Sequence, residues 1–228
     1  MYRKYIKRLL DIILSLLGLI IALPIFLIVS LLVLIFLGHP IIFKQKRPGK
    51  DEKIFTLYKF RTMTDKKDKN GNLLPDNQRL TKFGKFLRKT SLDELPEFIN
   101  ILKGDMSFIG PRPMLIRDMV FFDKKIMQRQ LVTPGLTGLA QANGRNSISW
   151  DDRLKYDIYY IDHLSFSMDI KIVLLTIKIV LKSEGIGEDG GELSLDYGDY
   201  LLRKKAITKE YYLKKQKEAK EILNKEME

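Results

Sequence analysis

The feature that most constrains this chain is an apolar run from Ile12 to Leu37, interrupted only by Ser15, Gly18, Pro24 and Ser30. An uncharged stretch of this length is long enough to be a membrane segment. A cleaved signal peptide is rejected, because the run exceeds a signal's apolar region and no small-x-small cleavage site closes it before the basic residues that follow. As a straight helix at roughly 1.5 Å per residue it would reach about 39 Å, against a hydrocarbon core of about 30 Å. Pro24 sits near its middle. Arg3, Lys4, Lys7 and Arg8 precede the run, and Lys44, Lys46, Arg47 and Lys50 follow it. A simple span carries its positive excess on one side, so equal basic flanks and a central proline predict a re-entrant helix that enters, bends and returns. The alternative is a tilted single span kinked at Pro24.

What such an anchor carries is bounded by composition. With 228 residues and 45% apolar content, the chain can add one packed domain to it. Forty Lys+Arg against 28 Asp+Glu give a formal charge of +12. This favours an anionic lipid surface, a phosphorylated substrate or a nucleic acid. A nucleic-acid binder is the weakest of these, since it has no need of Ile12–Leu37. The absence of cysteine excludes a disulfide framework and any thiolate nucleophile or metal ligand, and fits a reducing cytoplasmic location. His39 and His163 are too few for a histidine metal site.

Beyond the anchor, Ile41–Phe43 and Ile54–Arg61 read as the strands of a hairpin around Arg47-Pro48-Gly49-Lys50-Asp51. By the two-residue period Phe55, Leu57, Lys59 and Arg61 share a face, and spacing alone reads the two cations as solvated bases at a strand end. Thr64–Gln78 is polar, with Asn70-Gly71 and Pro75, and reads as a loop. Arg79–Arg88 reads as a basic helix with Leu80, Phe83 and Leu87 inward. The next helix is expected to start near Asp93, where Ser91 and Glu94 have the spacing of a capping box; Pro96 competes with that register, and if it belongs to the first turn the cap moves to Asp93. Asp93 and Glu94 then lie at a helix N-terminus, and ordinary helix-start chemistry accounts for them on spacing alone. Ser149–Tyr160 reads as a helix. Met168–Leu181 is apolar with Lys171, Lys178 and Lys182 on one side, which suits either a helix at the membrane surface or a core helix with one wet edge. Gly185–Gly198 reads as an acidic, glycine-rich linker and Thr208–Glu228 as a terminal helix.

Several blocks in order carry a resemblance. They are the proline-broken anchor; Phe43-Lys44-Gln45-Lys46-Arg47-Pro48-Gly49; Tyr58-Lys59-Phe60-Arg61-Thr62-Met63; Ser91-Leu92-Asp93-Glu94-Leu95-Pro96; and Leu102-Lys103-Gly104-Asp105-Met106-Ser107. Gly110-Pro111-Arg112-Pro113 and Pro134-Gly135-Leu136-Thr137-Gly138, running to Asn143-Gly144-Arg145, complete the set. From Met1 to about Ser183 the chain resembles the bacterial sugar transferase family, the monotopic phosphoglycosyl transferases. Leu139 departs from the tryptophan usual in that family.

With the residue pattern, the resemblance implies an α+β fold. It would be mostly helical, with a small β-hairpin, an N-terminal re-entrant membrane helix and surface amphipathic helices. The anchor would occupy 1–38, a cytoplasmic catalytic domain 39–183, and the linker with the C-terminal helix 184–228. The resemblance further implies transfer of a sugar phosphate from a UDP-sugar, such as one carrying the N-acetylated amino sugar diacetylbacillosamine, to undecaprenyl phosphate. UMP would be released at the cytoplasmic face of a bacterial inner membrane, at the first membrane step of glycoconjugate or glycoprotein assembly. Asp93 would be the nucleophile, forming an aspartyl-phosphosugar. Glu94 would act as a base or metal ligand, sharing a Mg²⁺ with Asp93. Arg88 and Arg112 are the candidates to hold phosphates bidentately, with Lys59 and Arg145 behind them. The expected partners are the two substrates and membrane lipids, with no nucleic acid. The rival class is a non-catalytic peripheral protein that binds anionic lipid.

Overall fold

The computed structural model describes residues 1–144, 148–182 and 195–226. A π-helical turn (Tyr2–Ile6) leads into α1 (Lys7–Leu37), followed by β1 (Ile42–Pro48), β2 (Ile54–Phe60), α2 (Asp76–Arg79), α3 (Lys82–Lys89), a 3-10 turn (Leu92–Glu94) and α4 (Glu97–Lys103). Next come β3 (Ser107–Ile109), α5 (Ile116–Met119), β4 (Gly135–Thr137), α6 (Trp150–Asp162), α7 (Phe166–Lys182), α8 (Tyr197–Arg203) and α9 (Lys209–Lys225). The protein is α+β and mostly helical, with a long apolar N-terminal helix and the predicted hairpin of β1 and β2. A second, parallel pair joins β3 to β4, with Ser107 opposite Gly135 and Ile109 opposite Thr137. Strands of three residues are too short for a period to reveal. Their glycines did carry the signal: a Cβ on Gly135 would lie 2.1 Å from the backbone nitrogen of Gly110. Two of the sequence blocks therefore owe their glycines to the close approach of two backbones.

The chain forms two compact units, Ile12–Gln45 with Leu57–Lys103, and Met1–Asp11 with Lys46–Thr56 and Gly104–Glu228. In the first, Val29, Val33 and Leu37 recur every four residues and so occupy one face of α1. They are buried with Phe60 and Leu87, and Phe26, Phe83, Leu92 and Leu95 pack against them. Most other apolar side chains of α1 stay uncovered; Ile21 is 76% exposed and Leu27 61%. Apolar surface this extensive is suited to lipid, not water. Pro24 lies inside the continuous helix, where its ring offers no N–H to the preceding turn.

The predicted Arg79–Arg88 helix is in fact two pieces. Thr81 adopts an extended conformation and caps α3 by accepting from the Gly84 N–H, while Leu80 forms an antiparallel bridge with Met63. The segment read as a loop also contains a Lys67–Leu73 bridge and the start of α2.

Among its described residues the larger unit has two apolar clusters. One gathers Phe121, Trp150, Tyr197 and Tyr200, with Ala219, Ile222 and Leu223 of α9 packed into it. The other joins Ile109, Val132, Tyr160 and Ile172, and Leu139 is buried among them. Ser149 caps α6 by accepting from the Asp152 N–H at 3.0 Å, so that predicted helix forms with its cap. On α7, Ile172 is buried while Phe166, Ile170, Val173, Leu174 and Ile177 form an uncovered apolar stripe. Lys171 and Lys178 are exposed beside it, the pattern of a surface amphipathic helix. The side chain of Lys182 lies outside the described residues, as does the predicted linker through residue 194. The end of that linker is helical instead: Tyr197 and Gly198 are buried in α8.

Candidate active site

The site is assembled at the end of β2. Asn100 of α4 is fully buried and accepts from the Tyr58 N–H at 3.0 Å, which fixes α4 against the strand. Glu97 lies one helical turn before Asn100 on the same face. Its carboxylate, 2% exposed, meets Lys59 Nζ at 3.0 Å, and the same ammonium meets Glu94 Oε1 at 2.7 Å. Lys59 is therefore shared by two carboxylates and is not the solvated base that spacing suggested. Arg61 is also enclosed. It pairs with Asp65 at 2.6 Å, donates to the Met63 carbonyl at 2.8 Å and reaches the His39 carbonyl.

Arg88 is positioned by a close helix approach. A Cβ on Gly84 would fall 1.9 Å from the Thr62 carbonyl oxygen, so only glycine lets α3 sit against the chain leaving β2. One turn later on that face, Arg88 Nε donates to Thr62 Oγ1 at 3.1 Å, while the Arg88 side chain as a whole is exposed.

The acids Asp93 and Glu94 lie on the 3-10 turn and not in the first turn of a helix. Ser91 has a left-handed φ of 55° and makes no side-chain cap, so the capping box does not form. The Glu94 N–H bonds the Ser91 carbonyl at 3.1 Å and the Leu95 N–H bonds that of Leu92 at 3.3 Å. Because Pro96 has no N–H, α4 starts after it, and its first-turn acid is Glu97. The helix-dipole argument made for Asp93 thus applies to Glu97. Asp93 is 7% exposed, and Leu92 and Leu95 on either side of the pair are packed against the α1 cluster.

Lys59, Arg88, Asp93 and Glu94 thus belong to one unit. Arg112 belongs to the other and is half-buried. Its carbonyl accepts from Arg129 Nη2 at 2.8 Å, and Arg129 is paired with Asp157 at 2.8 Å, both side chains 2% exposed. Arg153 is pushed down to about 10, chiefly by burial, with Arg112 and Arg129 adding repulsion and Asp157 opposing. Arg145 lies outside the described residues. Sequence reasoning missed Glu97, Arg129 and Asp157. The dipeptide Pro96-Glu97 was a readable helix start, whereas no local signal marks the Arg129–Asp157 pair.

An acid pair beside cations, fastened to a long uncovered apolar helix, marks a membrane-associated protein. The sequence profile of the bacterial sugar transferase family matches residues 2–183, and the chain belongs to that family. It is 55% identical over 150 residues to the uncharacterized sugar transferase EpsL of Bacillus subtilis (strain 168), covering 66% of this chain and 74% of that protein. It is 43% identical over 181 residues to a UDP-glucose:undecaprenyl-phosphate glucose-1-phosphate transferase of Klebsiella pneumoniae, covering 75% of this chain and 39% of that protein. With an undecaprenyl-phosphate galactose phosphotransferase of Salmonella typhimurium it shares 35% identity over 206 residues, or 80% of this chain and 42% of that protein. The chain spans less than half the length of the latter two relatives.

Proposed function

We propose that the protein transfers a sugar phosphate from a UDP-sugar to undecaprenyl phosphate at the cytoplasmic face of a bacterial inner membrane. The observation that carries this reading is the packing of Leu92 and Leu95 against α1. It ties the Asp93–Glu94 turn to the apolar helix, as a reaction between a soluble nucleotide and a lipid phosphate requires. An Asp93 carboxylate oxygen attacks the β-phosphorus, the bond from that phosphorus to the UMP oxygen breaks, and UMP leaves with the electron pair. A phosphate oxygen of undecaprenyl phosphate then attacks the same phosphorus and expels the Asp93 carboxylate, giving the polyprenyl diphosphate sugar in a ping-pong sequence. Arg88, in the unit that holds Asp93, is assigned to the diphosphate, Arg112 is proposed as a phosphate-binding residue of the other unit, and Lys59 holds Glu94 in place.

Asp93 and Glu94 are hard oxygen donors, the kind Mg²⁺ takes one or two of beside substrate phosphates. Among the described residues no group of three or more acidic, cysteine or histidine side chains is placed to hold a metal ion, so substrate phosphates and water would supply the remaining ligands. Bound there, the ion would offset the charge of the diphosphate. The donor we propose carries an N-acetylated amino sugar such as diacetylbacillosamine, destined for glycoconjugate or protein glycosylation. Relatives named for glucose and galactose supply the rival arms of a donor panel.

For topology we propose that α1 bends at Pro24 and returns. At 31 residues it would reach about 46 Å, well beyond a hydrocarbon core of about 30 Å. Single cysteines placed before Lys7 and after Lys50 should label from the same side of the membrane, and opposite labelling would make α1 a span.

The reaction is tested with purified protein, Mg²⁺, undecaprenyl phosphate and each UDP-sugar, measuring UMP. Wild type should release UMP with at least one donor, and Asp93→Asn should form no radiolabelled phosphosugar adduct. No UMP from any donor would leave a non-catalytic lipid-binding protein, and an adduct that survives Asp93→Asn would move the nucleophile elsewhere.

A further inference from the structure

The larger unit contains a small cleft of about 70 Å³, partly open to solvent, whose walls include Arg3, Lys7, Arg8, Asp11, Lys50 and Ser107. None of these belongs to the carboxylate site around Lys59. The charges are not evenly available. Asp11, the only acid of the lining among the described residues, is buried, with one oxygen accepting from Ser107 Oγ at 3.1 Å and from the Phe108 N–H at 3.0 Å. One of its two carboxyl oxygens is thus taken up by the wall itself. Lys7 points to the buried Asp169 at 2.5 Å, where Tyr160 also donates at 2.8 Å, so its charge is met from behind.

Arg3 and Lys50 differ. Both are exposed. Arg3 gives one guanidinium N–H to the Leu131 carbonyl at 3.1 Å, which orients the group and leaves further donors. The ammonium of Lys50 meets no carboxylate among the described residues. We infer that this cleft is a binding site for the phosphate group of an anionic membrane phospholipid.

Two observations choose a lipid phosphate over a soluble one. Arg3, Lys7 and Arg8 immediately precede the uncovered apolar face of α1, so in a bilayer they sit at headgroup depth. The cleft also has an apolar side: Leu131, 52% exposed, and Leu164 belong to its lining, giving acyl chains a surface beside the charged end. The inference does not depend on the transfer reaction, and its test reads binding, so either can fail without the other.

The test uses the full chain in zwitterionic detergent. Its thermal unfolding midpoint is followed while short-chain phosphatidylglycerol, short-chain phosphatidylcholine or inorganic phosphate is titrated in. Phosphatidylglycerol should raise the midpoint saturably, inorganic phosphate should do so only weakly, and phosphatidylcholine should have no specific effect. One cation near an anionic lipid surface contributes about fivefold in affinity, so Arg3→Gln with Lys50→Gln should weaken phosphatidylglycerol binding about 25-fold. Lys214→Gln with Lys217→Gln, two exposed lysines of α9, should leave it unchanged. If the first pair lowers the midpoint without lipid, Arg3→Lys with Lys50→Arg keeps the charges and should retain binding. Equal effects of phosphatidylcholine, equal effects of inorganic phosphate, or equal losses in both glutamine pairs would each overturn the assignment.

Discussion

Replacing Lys59 with glutamine separates the solvated strand-end base that spacing suggests from the shared ammonium found at 2.7 Å from Glu94 and 3.0 Å from Glu97. At an effective dielectric constant of about 20, Coulomb's law gives about 6 kcal/mol of gross attraction for each contact. Desolvation of the three groups cancels much of this, and removing one partner of a buried pair costs roughly 3–5 kcal/mol. Glu97 is 2% exposed, but the Lys59 and Glu94 side chains keep 17% and 20% of their surface. Solvent screening therefore places the net loss at the lower end, about 3 kcal/mol. For a chain of this size each kcal/mol moves the midpoint by roughly 2–4 °C, so Lys59→Gln should lower it by about 6–12 °C. Adding Glu97→Gln should recover part of that loss, because the double variant no longer buries an acid that has lost its cation. Thermal unfolding in detergent measures both. A Lys59→Gln shift below about 2 °C, or a double variant less stable than the sum of the singles, would refute the shared-ammonium reasoning.

Two further substitutions probe other parts of the fold. Gly135→Ala puts a Cβ against backbone atoms of Gly110 with no flexible side chain to move aside; it should cost more than about 3 kcal/mol and show as loss of protease-resistant protein, and a stable variant would mean that β3 and β4 do not abut. Asp118 is buried, and burial pushes its carboxyl above the usual range, opposed by the N–H groups of Tyr197 and Leu115. A carboxyl raised in the folded state binds its proton more tightly folded than unfolded, so stability falls as pH rises from the usual carboxylate range through the raised value. Asp118→Asn should flatten that part of the midpoint-against-pH curve, and an unchanged slope would assign it to other groups.

Local chemistry accounts for what could be read without a structure. The length and apolar content of Ile12–Leu37 called for an uncovered helix. Alternation made Ile54–Phe60 a strand, and Ser149 marked the start of α6; the roles expected of Asp93, Glu94, Arg88 and Arg112 came from the family resemblance. Each depends on residues a few positions apart, the distance over which dihedral preferences and side-chain periods act. Local rules erred at Ser91, where the capping-box spacing is present but a left-handed backbone and Pro96 move the helix start to Glu97. Tertiary structure alone decided that Lys59 joins Glu94 to Glu97, that Arg129, paired with Asp157, holds the Arg112 carbonyl, and that β3 pairs with β4. These contacts join residues distant in sequence, and a buried charge chooses its partner by the geometry that packing imposes. The sequence by itself thus determined which residues were available, and the packing of Leu92 and Leu95 on α1 decided that the acid pair is fastened to the long apolar helix.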